Sequence, residues 1–207
     1  MINNKINISV IGIGYIGLPV SISFSKFFNT IAFDQDTNRI SELQSGFDRN
    51  LDYTKKELKQ NNKKIKFSYN HKDINKSNIF IVCVPTPIFN SKKPNLNYLK
   101  KVSKLISPKL KINDIVIYES TVYPGVTEEI CLPILKQNTK LIYNKDFFIG
   151  YCPERINPGD KKNTIQNVVK VVSASNNKAL NKIYYIYKKI IKNKIYKAKN
   201  IKVAEAA

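Results

Sequence analysis

A glycine-rich turn near the start of the chain carries the most informative spacing of residues. Gly12, Gly14 and Gly17 in "VIGIGYIG" form a G-x-G-x-x-G pattern. The apolar run "INISVIGIG" predicts a buried strand that leads into the turn, and "LPVSISFSKFF" predicts a helix after it. A second predicted strand, "TIAFD", ends in Asp34. In this order of elements the pattern indicates a dinucleotide site.

Each residue of the pattern has a physical role in such a site. Gly12 permits a tight turn, Gly14 lets a pyrophosphate approach the backbone, and Gly17 lets the helix pack against the strand. The free N–H groups and positive dipole end of the helix then face the phosphates. Asp34 is expected to accept hydrogen bonds from the adenosine ribose and to repel a 2′-phosphate, which favours NAD over NADP. The alternative is that the glycines serve only tight packing.

Three neighbouring residues complete the predicted cofactor-binding set around this turn. Tyr15 and Ile16 lie within the turn, and Arg39 lies in the helix "TNRISELQSG" that follows Asp34. We predict that all three contact the cofactor.

The rest of the chain alternates short apolar strands with amphipathic helices. Strands are predicted in "SNIFIVCVPTP", "DIVIYEST", "FFIGYCPE", "VVKVVSAS" and "KIYKA". Near-continuous apolar strands are typical of a parallel sheet covered on both faces. We therefore predict an α/β fold with a doubly wound, mainly parallel sheet of the Rossmann type. Residues 1–199 form this domain, and residues 200–207, "NIKVAEAA", begin a further helix.

Composition excludes a disordered chain and leaves a nucleic-acid-binding protein as an alternative. The chain has 207 residues, 43% of them hydrophobic, and a formal net charge of +20. The hydrophobic share predicts a folded core. The charge could serve a nucleic-acid partner, but the lysines alternate with apolar residues throughout, as on solvated faces. A nucleic-acid-binding module is therefore the weaker interpretation.

The cysteines and the single histidine predict neither disulfides nor a metal site. Cys83, Cys131 and Cys152 show no CxxC spacing, which favours a reducing compartment. His71 stands in a polar stretch without neighbouring ligands and is expected in a surface loop. The sequence has no stretch typical of a membrane span, so we expect a cytoplasmic protein without a membrane partner.

Several longer motifs resemble one enzyme family. "GIGYIGLP", "VPTP", "YESTVYPGVTEE", "GYCPERINPGDK" and "IKVAEAA" are similar, in order, to segments of the UDP-sugar 6-dehydrogenases. The similarity is greatest to the branch acting on UDP-N-acetylhexosamines in surface-polysaccharide synthesis. It implies oxidation of a C6 alcohol to a carboxylate, in two hydride transfers to NAD, through a cysteine-bound thioester.

The resemblance implies roles for residues after the middle strands. Thr86 corresponds to a threonine that lies along the cofactor, although a rigid proline turn would explain "VPTP" equally well. Ser120 and Thr121 leave the next strand at the same edge, and both are assigned to cofactor binding. Thr121 also corresponds to a catalytic threonine that helps hold the reacting oxygen or a water. Without the family it is a polar residue at a strand end.

The "CPERINPGD" segment contains the remaining predicted active-site residues. Glu154 resembles a catalytic glutamate that acts in acid–base steps, and it also belongs to the predicted substrate site. Arg155 would suit the substrate's diphosphate through its fork of donors. A surface pair between the two residues is the alternative. Cys152 stands beside them, but the family nucleophile belongs to a later motif, so we assign Cys152 a structural role.

The resemblance also predicts what lies outside these 207 residues. In the family "AEAA" continues into a long central helix that carries a catalytic lysine and asparagine, followed by a dimerising helix and a UDP-sugar domain. Lys202 precedes that lysine position and is not assigned its role. We therefore expect the cofactor half of a dimeric or larger enzyme, inactive alone. Another Rossmann enzyme, such as a hydroxyacid dehydrogenase, is the enzymatic alternative.

Overall fold

The computed structural model of the chain describes residues 5–60, 64–154 and 165–207. Its eight strands are β1 Asn7–Ile11, β2 Asn29–Phe33, β3 Ile65–Ser68, β4 Ile79–Val82, β5 Ile115–Tyr118, β6 Phe148–Tyr151, β7 Lys170–Ala174 and β8 Ile195–Lys197. Its seven α-helices, counted over the described ranges, are α1 Gly17–Ser25, α2 Thr37–Ser45, α3 Lys55–Gln60, α4 Asn97–Ile106, α5 Leu132–Lys136, α6 Asn177–Ile190 and α7 Ile201–Glu205. None of the helices in these ranges is long and apolar enough to cross a lipid bilayer.

The strands form one sheet in the order β3-β2-β1-β4-β5-β6-β7-β8. Neighbouring strands are parallel except for the antiparallel pair β6 and β7. The chain adds β2 and β3 on one side of β1. It then adds β4 and the remaining strands, in sequence order, on the other side. This order confirms the predicted doubly wound, mainly parallel sheet. Its direction reverses between β1 and β4, which is where open α/β sheets bind ligands.

Alternate residues of the central strands enter separate cores on the two faces of the sheet. In β4, Ile79 and Ile81 pack with α1, α2 and α6, whereas Phe80 and Val82 pack with α4, α5 and α7. All four side chains are fully buried. Because both faces are covered, the central strands contain few polar residues, and this composition made them easy to identify in the sequence.

The segment "GVTEEICLPILKQ" follows β5 and has the composition of a single helix, but it folds in two parts. Val126–Cys131 forms a π-helical turn, and α5 follows directly from Leu132. Pro133 explains the change, since it has no N–H to donate to the carbonyl four residues earlier and its ring crowds that carbonyl. A wider turn relieves both problems.

Helix α7 begins where the sequence predicts a new helix. The Asn200 side chain caps it by accepting from the Val203 N–H, and Ile201 and Ala204 join the core beside β6 and β7. Glu205 is 7% exposed and reaches across to the start of the π-helical turn. Its carboxylate accepts from the Gly125 N–H at 2.6 Å and the Thr127 N–H at 2.8 Å. Glu205 thus anchors the loop that follows the end of β5.

Replacing Glu205 by Ala should destabilise the domain by about 3 kcal/mol, because two buried N–H groups lose a charged acceptor. Urea unfolding measures the change. Glu129→Ala is the matched control, since the Glu129 carboxylate forms an exposed ion pair with Lys202 and should contribute less. Equal stability of the two variants would show that the Glu205 anchor contributes little.

Candidate functional site

A cleft of about 1040 Å³ crosses the carboxyl edge of the sheet at the point where the strand order reverses. We call one side of it the Asp34 end; its lining residues follow β2 and β3 and include Asp34, Gln35, Asp36, Arg39, Arg49, Tyr69 and His71. We call the other side the Glu154 end; its lining residues follow β4, β5 and β6 and include Thr86, Glu119, Ser120, Thr121 and Glu154. Between them lie Gly12, Gly14, Tyr15 and Ile16 of the glycine turn.

The three glycines of the turn are required for three different reasons. Gly12 has a φ of +94°, and a Cβ there would lie 3.0 Å from the Cys83 carbonyl. A Cβ on Gly17 would lie 1.8 Å from the Gly12 carbonyl oxygen, so the turn could not close. A Cβ on Gly14 would meet no atom of the described chain within 4 Å. Packing explains Gly12 and Gly17, whereas the open space beside Gly14 is room for a ligand against the backbone.

Asp34 is held in a fixed orientation at its end of the cleft. One carboxylate oxygen accepts from the Ile13 N–H at 2.6 Å, and the other accepts from the Asp36 N–H at 3.0 Å. The first bond joins the tip of β2 to the glycine turn. The carboxylate lines the cleft and still has acceptor capacity for further donors.

The Arg39 side chain also stabilises the glycine turn. Its Nε donates to the Ile13 carbonyl at 2.9 Å, and its Nη1 lies 2.8 Å from Asp48. The residue is 4% exposed, yet it lines the cleft, and its Nη2 has no hydrogen-bond partner among the described residues. The contacts that the structure describes for Arg39 are therefore structural, and its predicted contact with a cofactor stays a prediction.

The hydroxyl groups at the Glu154 end connect two adjacent loops. Thr86 donates to the Thr121 carbonyl at 2.7 Å, and Ser120 donates to the Val84 carbonyl at 2.6 Å. Ser120 is buried and Thr121 is exposed. The loops after β4 and β5 are thus fixed relative to each other, and Thr121 is the member of this group that presents its side chain to solvent.

Glu154 belongs to a buried group of charges that the sequence analysis missed. The Lys170 Nζ lies 2.9 Å from the Glu154 carboxylate and 3.0 Å from that of Glu119, and all three side chains are at most 5% exposed. Tyr187 donates to Glu119 through its hydroxyl. We call these four residues the Lys170 cluster. A lysine in the apolar strand "VVKVVSAS" was the available signal, because a charge in a buried strand requires a partner.

Lys170 carries a charge in this environment. Burial alone lowers the pKa of its ammonium group, but the adjacent Glu119 and Glu154 carboxylates outweigh it and raise the pKa above the ordinary lysine value. Lys170 is therefore a protonated donor to both carboxylates at neutral pH.

The three cysteines lack the properties of nucleophiles. Burial raises the pKa of Cys152 to about 12 and that of Cys131 to about 11. Burial, followed by the Glu119 carboxylate, raises the pKa of Cys83 well above its usual value. All three are free thiols. Since the thiolate is the reactive form, these values favour the structural role that we assigned to Cys152.

The other predicted site residues differ in position. Tyr15 and Ile16 line the cleft, and the Tyr15 residue is 51% exposed. Gly17 lies under the turn and is buried. Arg155 lies outside the described residues. His71, expected in a surface loop, is exposed and also lines the Asp34 end.

The residues present fit an adenine dinucleotide. The cleft is lined by residues that follow six strands, from β1 to β6, and an open face of backbone lies at Gly14. Arg39, which also lines the cleft, has a buried guanidinium nitrogen without a hydrogen-bond partner among the described residues. No side chain among the described residues caps the start of α1, which follows directly from the glycine turn that lines the cleft. These features suit a pyrophosphate in the middle of the cleft and a ribose at Asp34.

Comparison with known proteins agrees with this assignment. The model of the UDP-glucose/GDP-mannose dehydrogenase family, NAD binding domain, matches residues 6–191. A UDP-N-acetyl-D-glucosamine 6-dehydrogenase of Pseudomonas aeruginosa is 46% identical over 98% of this chain and 48% of its own length. Protein CapL of Staphylococcus aureus is 44% identical over 97% of this chain and 47% of its own.

A solved structure gives the same result for the fold. A UDP-D-ManNAc dehydrogenase from Pyrococcus horikoshii superimposes with a TM-score of 0.89 at 28% identity, over 96% of this chain and 48% of its own. The chain thus spans about half the length of the relatives that it matches.

Two glycine variants should separate packing from ligand binding. Gly14→Ala should leave the melting temperature unchanged, because the added methyl meets no protein atom, but weaken NAD binding at least about tenfold by occupying space beside the phosphates. Gly17→Ala should lower the melting temperature, because its methyl would overlap the Gly12 carbonyl. Thermal melts and calorimetric titration with NAD test both. Normal NAD affinity in a folded Gly14→Ala variant would contradict the assignment.

Proposed function

The chain belongs to the UDP-glucose/GDP-mannose dehydrogenase family, and from that premise we propose that it is the NAD-binding half of an NAD-dependent UDP-N-acetylhexosamine 6-dehydrogenase. The observation that carries the proposal is the dinucleotide-shaped cleft at the reversal of strand order, in a chain 46% identical to a UDP-N-acetyl-D-glucosamine 6-dehydrogenase. By analogy with its relatives, we place the enzyme in surface-polysaccharide synthesis.

The orientation of NAD in the cleft follows from the two ends. The Asp34 carboxylate, fixed by Ile13 and Asp36, would accept from the adenosine ribose hydroxyls. Gly14 and the start of α1 would hold the pyrophosphate, with Tyr15 and Ile16 beside it. The nicotinamide would then lie at the Glu154 end, against Thr86, Ser120 and Thr121. Arg39 contributes by supporting the turn, and its Nη2, which has no hydrogen-bond partner among the described residues, would donate to the cofactor.

The residues at the Glu154 end suit the chemistry of alcohol oxidation. When bound, NAD supplies the hydride acceptor for the sugar's C6 position. Thr121 offers an exposed hydroxyl that can hold a reacting oxygen or a water. Glu154, bound to Lys170, offers a carboxylate that can accept or return a proton. In this proposal Arg155 binds the substrate's diphosphate.

The alternatives have weaker support. A hydroxyacid dehydrogenase would share the cleft but not the similarity at 46% identity to a nucleotide-sugar enzyme. A nucleic-acid-binding module is supported only by the net charge of +20.

Buried free cysteines are compatible with a cytoplasmic location. We further propose that the longer protein assembles as a homodimer or larger oligomer and that its substrate is a UDP-sugar.

A chimera tests the proposed activity directly. Residues 1–207 would replace the matching N-terminal part of the Pseudomonas aeruginosa relative, and NADH formation would be followed with UDP-N-acetyl-D-glucosamine, UDP-N-acetyl-D-galactosamine and UDP-glucose. We expect two NADH per molecule of UDP-N-acetylhexosamine oxidised. A folded chimera that binds NAD but oxidises none of these sugars would contradict the proposal.

Asp34 should decide the choice between NAD and NADP. Asp34→Asn keeps the shape of the side chain but removes the charge that repels a 2′-phosphate. We expect NAD binding to weaken by about tenfold and the preference for NAD over NADP to narrow. Titrations of the 207-residue chain with both cofactors measure this. An unchanged ratio of the two affinities would mean that Asp34 does not face the adenosine ribose.

A further inference from the structure

The Lys170 cluster connects the interior of the domain to one end of the cleft. Glu119 immediately follows β5, Lys170 begins β7, and Tyr187 lies on α6, so three elements meet at this cluster. Glu119 also accepts from the Cys83 thiol at 3.7 Å, which brings the end of β4 into the same network. Glu119 and Glu154, the latter after β6, both line the Glu154 end of the cleft.

The geometry around Lys170 differs from that of a simple structural ion pair. Its ammonium group lies 3.0 Å from one carboxylate and 2.9 Å from another, and 5.3 Å from the centre of the Tyr187 ring. The side chains of Lys170 and Glu119 are 0% exposed and that of Glu154 is 5% exposed, so Glu154 is the more accessible of the two carboxylates that line the cleft. Tyr187, Lys170 and Cys83 all bind the Glu119 carboxylate, so its position is fixed. Because Lys170 binds both carboxylates, it also fixes the position of Glu154 relative to Glu119.

A carboxylate fixed at the Glu154 end of the cleft interacts electrostatically with any charged ligand group that binds next to it. The nicotinamide ring is cationic in NAD+ and neutral in NADH, so a nearby negative charge in a poorly solvated site favours the oxidised form. We propose that Lys170 is a positioning residue that holds the Glu154 carboxylate at the nicotinamide end of the cleft, where it favours binding of NAD+ relative to NADH. This inference rests on the proposed orientation of NAD in the cleft.

The consequence is a specificity for the oxidation state of the cofactor. An enzyme that performs two successive hydride transfers must release NADH and take up NAD+ between them. Lower relative affinity for NADH would serve that exchange. The preference would be built into the cofactor domain, since its determinants lie directly after β5, after β6, on β7 and on α6 of this chain.

The readout is the ratio of the dissociation constants of NADH and NAD+, measured by calorimetry on the 207-residue chain. Glu154→Gln keeps the side-chain size and an acceptor for Lys170 but removes the charge. We expect the ratio to fall by about threefold to tenfold, because affinity for NAD+ decreases while affinity for NADH is nearly unchanged. Glu129→Gln, at an exposed Glu–Lys pair, is the matched control and should leave the ratio unchanged.

A double-mutant cycle tests whether Lys170 acts through Glu154. Lys170→Met removes a positive charge, which by itself would raise the ratio in either background. We expect the ratio to fall instead in the wild-type background, because the Glu154 carboxylate is no longer held in place, and not to fall in the Glu154→Gln background. Lys170→Arg, which keeps the charge and the donors, should restore most of the wild-type ratio. A merely structural lysine would lower the melting temperature without this dependence on Glu154. If Lys170→Met does not fold, Lys170→Gln, which keeps a hydrogen-bond donor without the charge, takes its place in the cycle.

The outcomes separate this inference from the proposed function. If the wild-type chain binds neither NAD+ nor NADH, the proposed function fails. If it binds both, and Glu154→Gln leaves the ratio unchanged, the proposed function survives and the role of Glu154 and Lys170 is overturned.

Discussion

The close approach of Gly17 to the Gly12 carbonyl governs the geometry of the cleft. A methyl group at position 17 would lie 1.8 Å from that oxygen, so the turn after β1 closes only around a glycine. This closure sets the start of α1 directly beyond the end of β1. The Ile13 N–H is then presented to Asp34 at the tip of β2. One steric constraint therefore aligns the glycine turn, the helix terminus and the acidic residue along a single edge of the sheet.

The two ends of the cleft differ in how their side chains are held. At the Asp34 end, backbone N–H groups orient the carboxylate, and Arg39 supports the turn through the Ile13 carbonyl. At the Glu154 end, the orienting groups are side chains from distant parts of the chain, centred on Lys170. A domain with a net charge of +20 thus presents carboxylates at both ends of its cleft. The overall charge is therefore a poor guide to what the cleft binds.

The sequence was sufficient where function and fold depend on neighbouring residues. The strand, glycine turn, helix and Asp34 are all close in sequence, and their order predicted both the sheet and the cofactor. The end of α2 is local in the same way, since Gly46 follows its last residue and has a φ of +87°, which favours glycine. The change from a π-helical turn to α5 near Pro133 could also have been predicted from local sequence, because proline removes a hydrogen-bond donor from any helix.

Features that depend on distant partners escaped the sequence analysis. Glu205 anchors backbone groups some 80 residues earlier, and Glu119 meets Tyr187 over a separation of 68 residues. The antiparallel pairing of β6 with β7 likewise depends on how the chain returns to the sheet rather than on strand composition. The lysine in an apolar strand signalled that a partner existed, but only the packing of β5, β6 and β7 identified Glu119 and Glu154.

The central claim is that the glycine turn and Asp34 hold an adenine dinucleotide across the carboxyl edge of the sheet. Amide chemical-shift mapping of the isotope-labelled chain during a titration with NAD+ tests it most directly. The account predicts that the largest shifts occur at residues 12–17, at Asp34 and at the strand ends after β4 and β5. Shifts confined to the lysine-rich surface, or an unperturbed glycine turn at saturating NAD+, would contradict it.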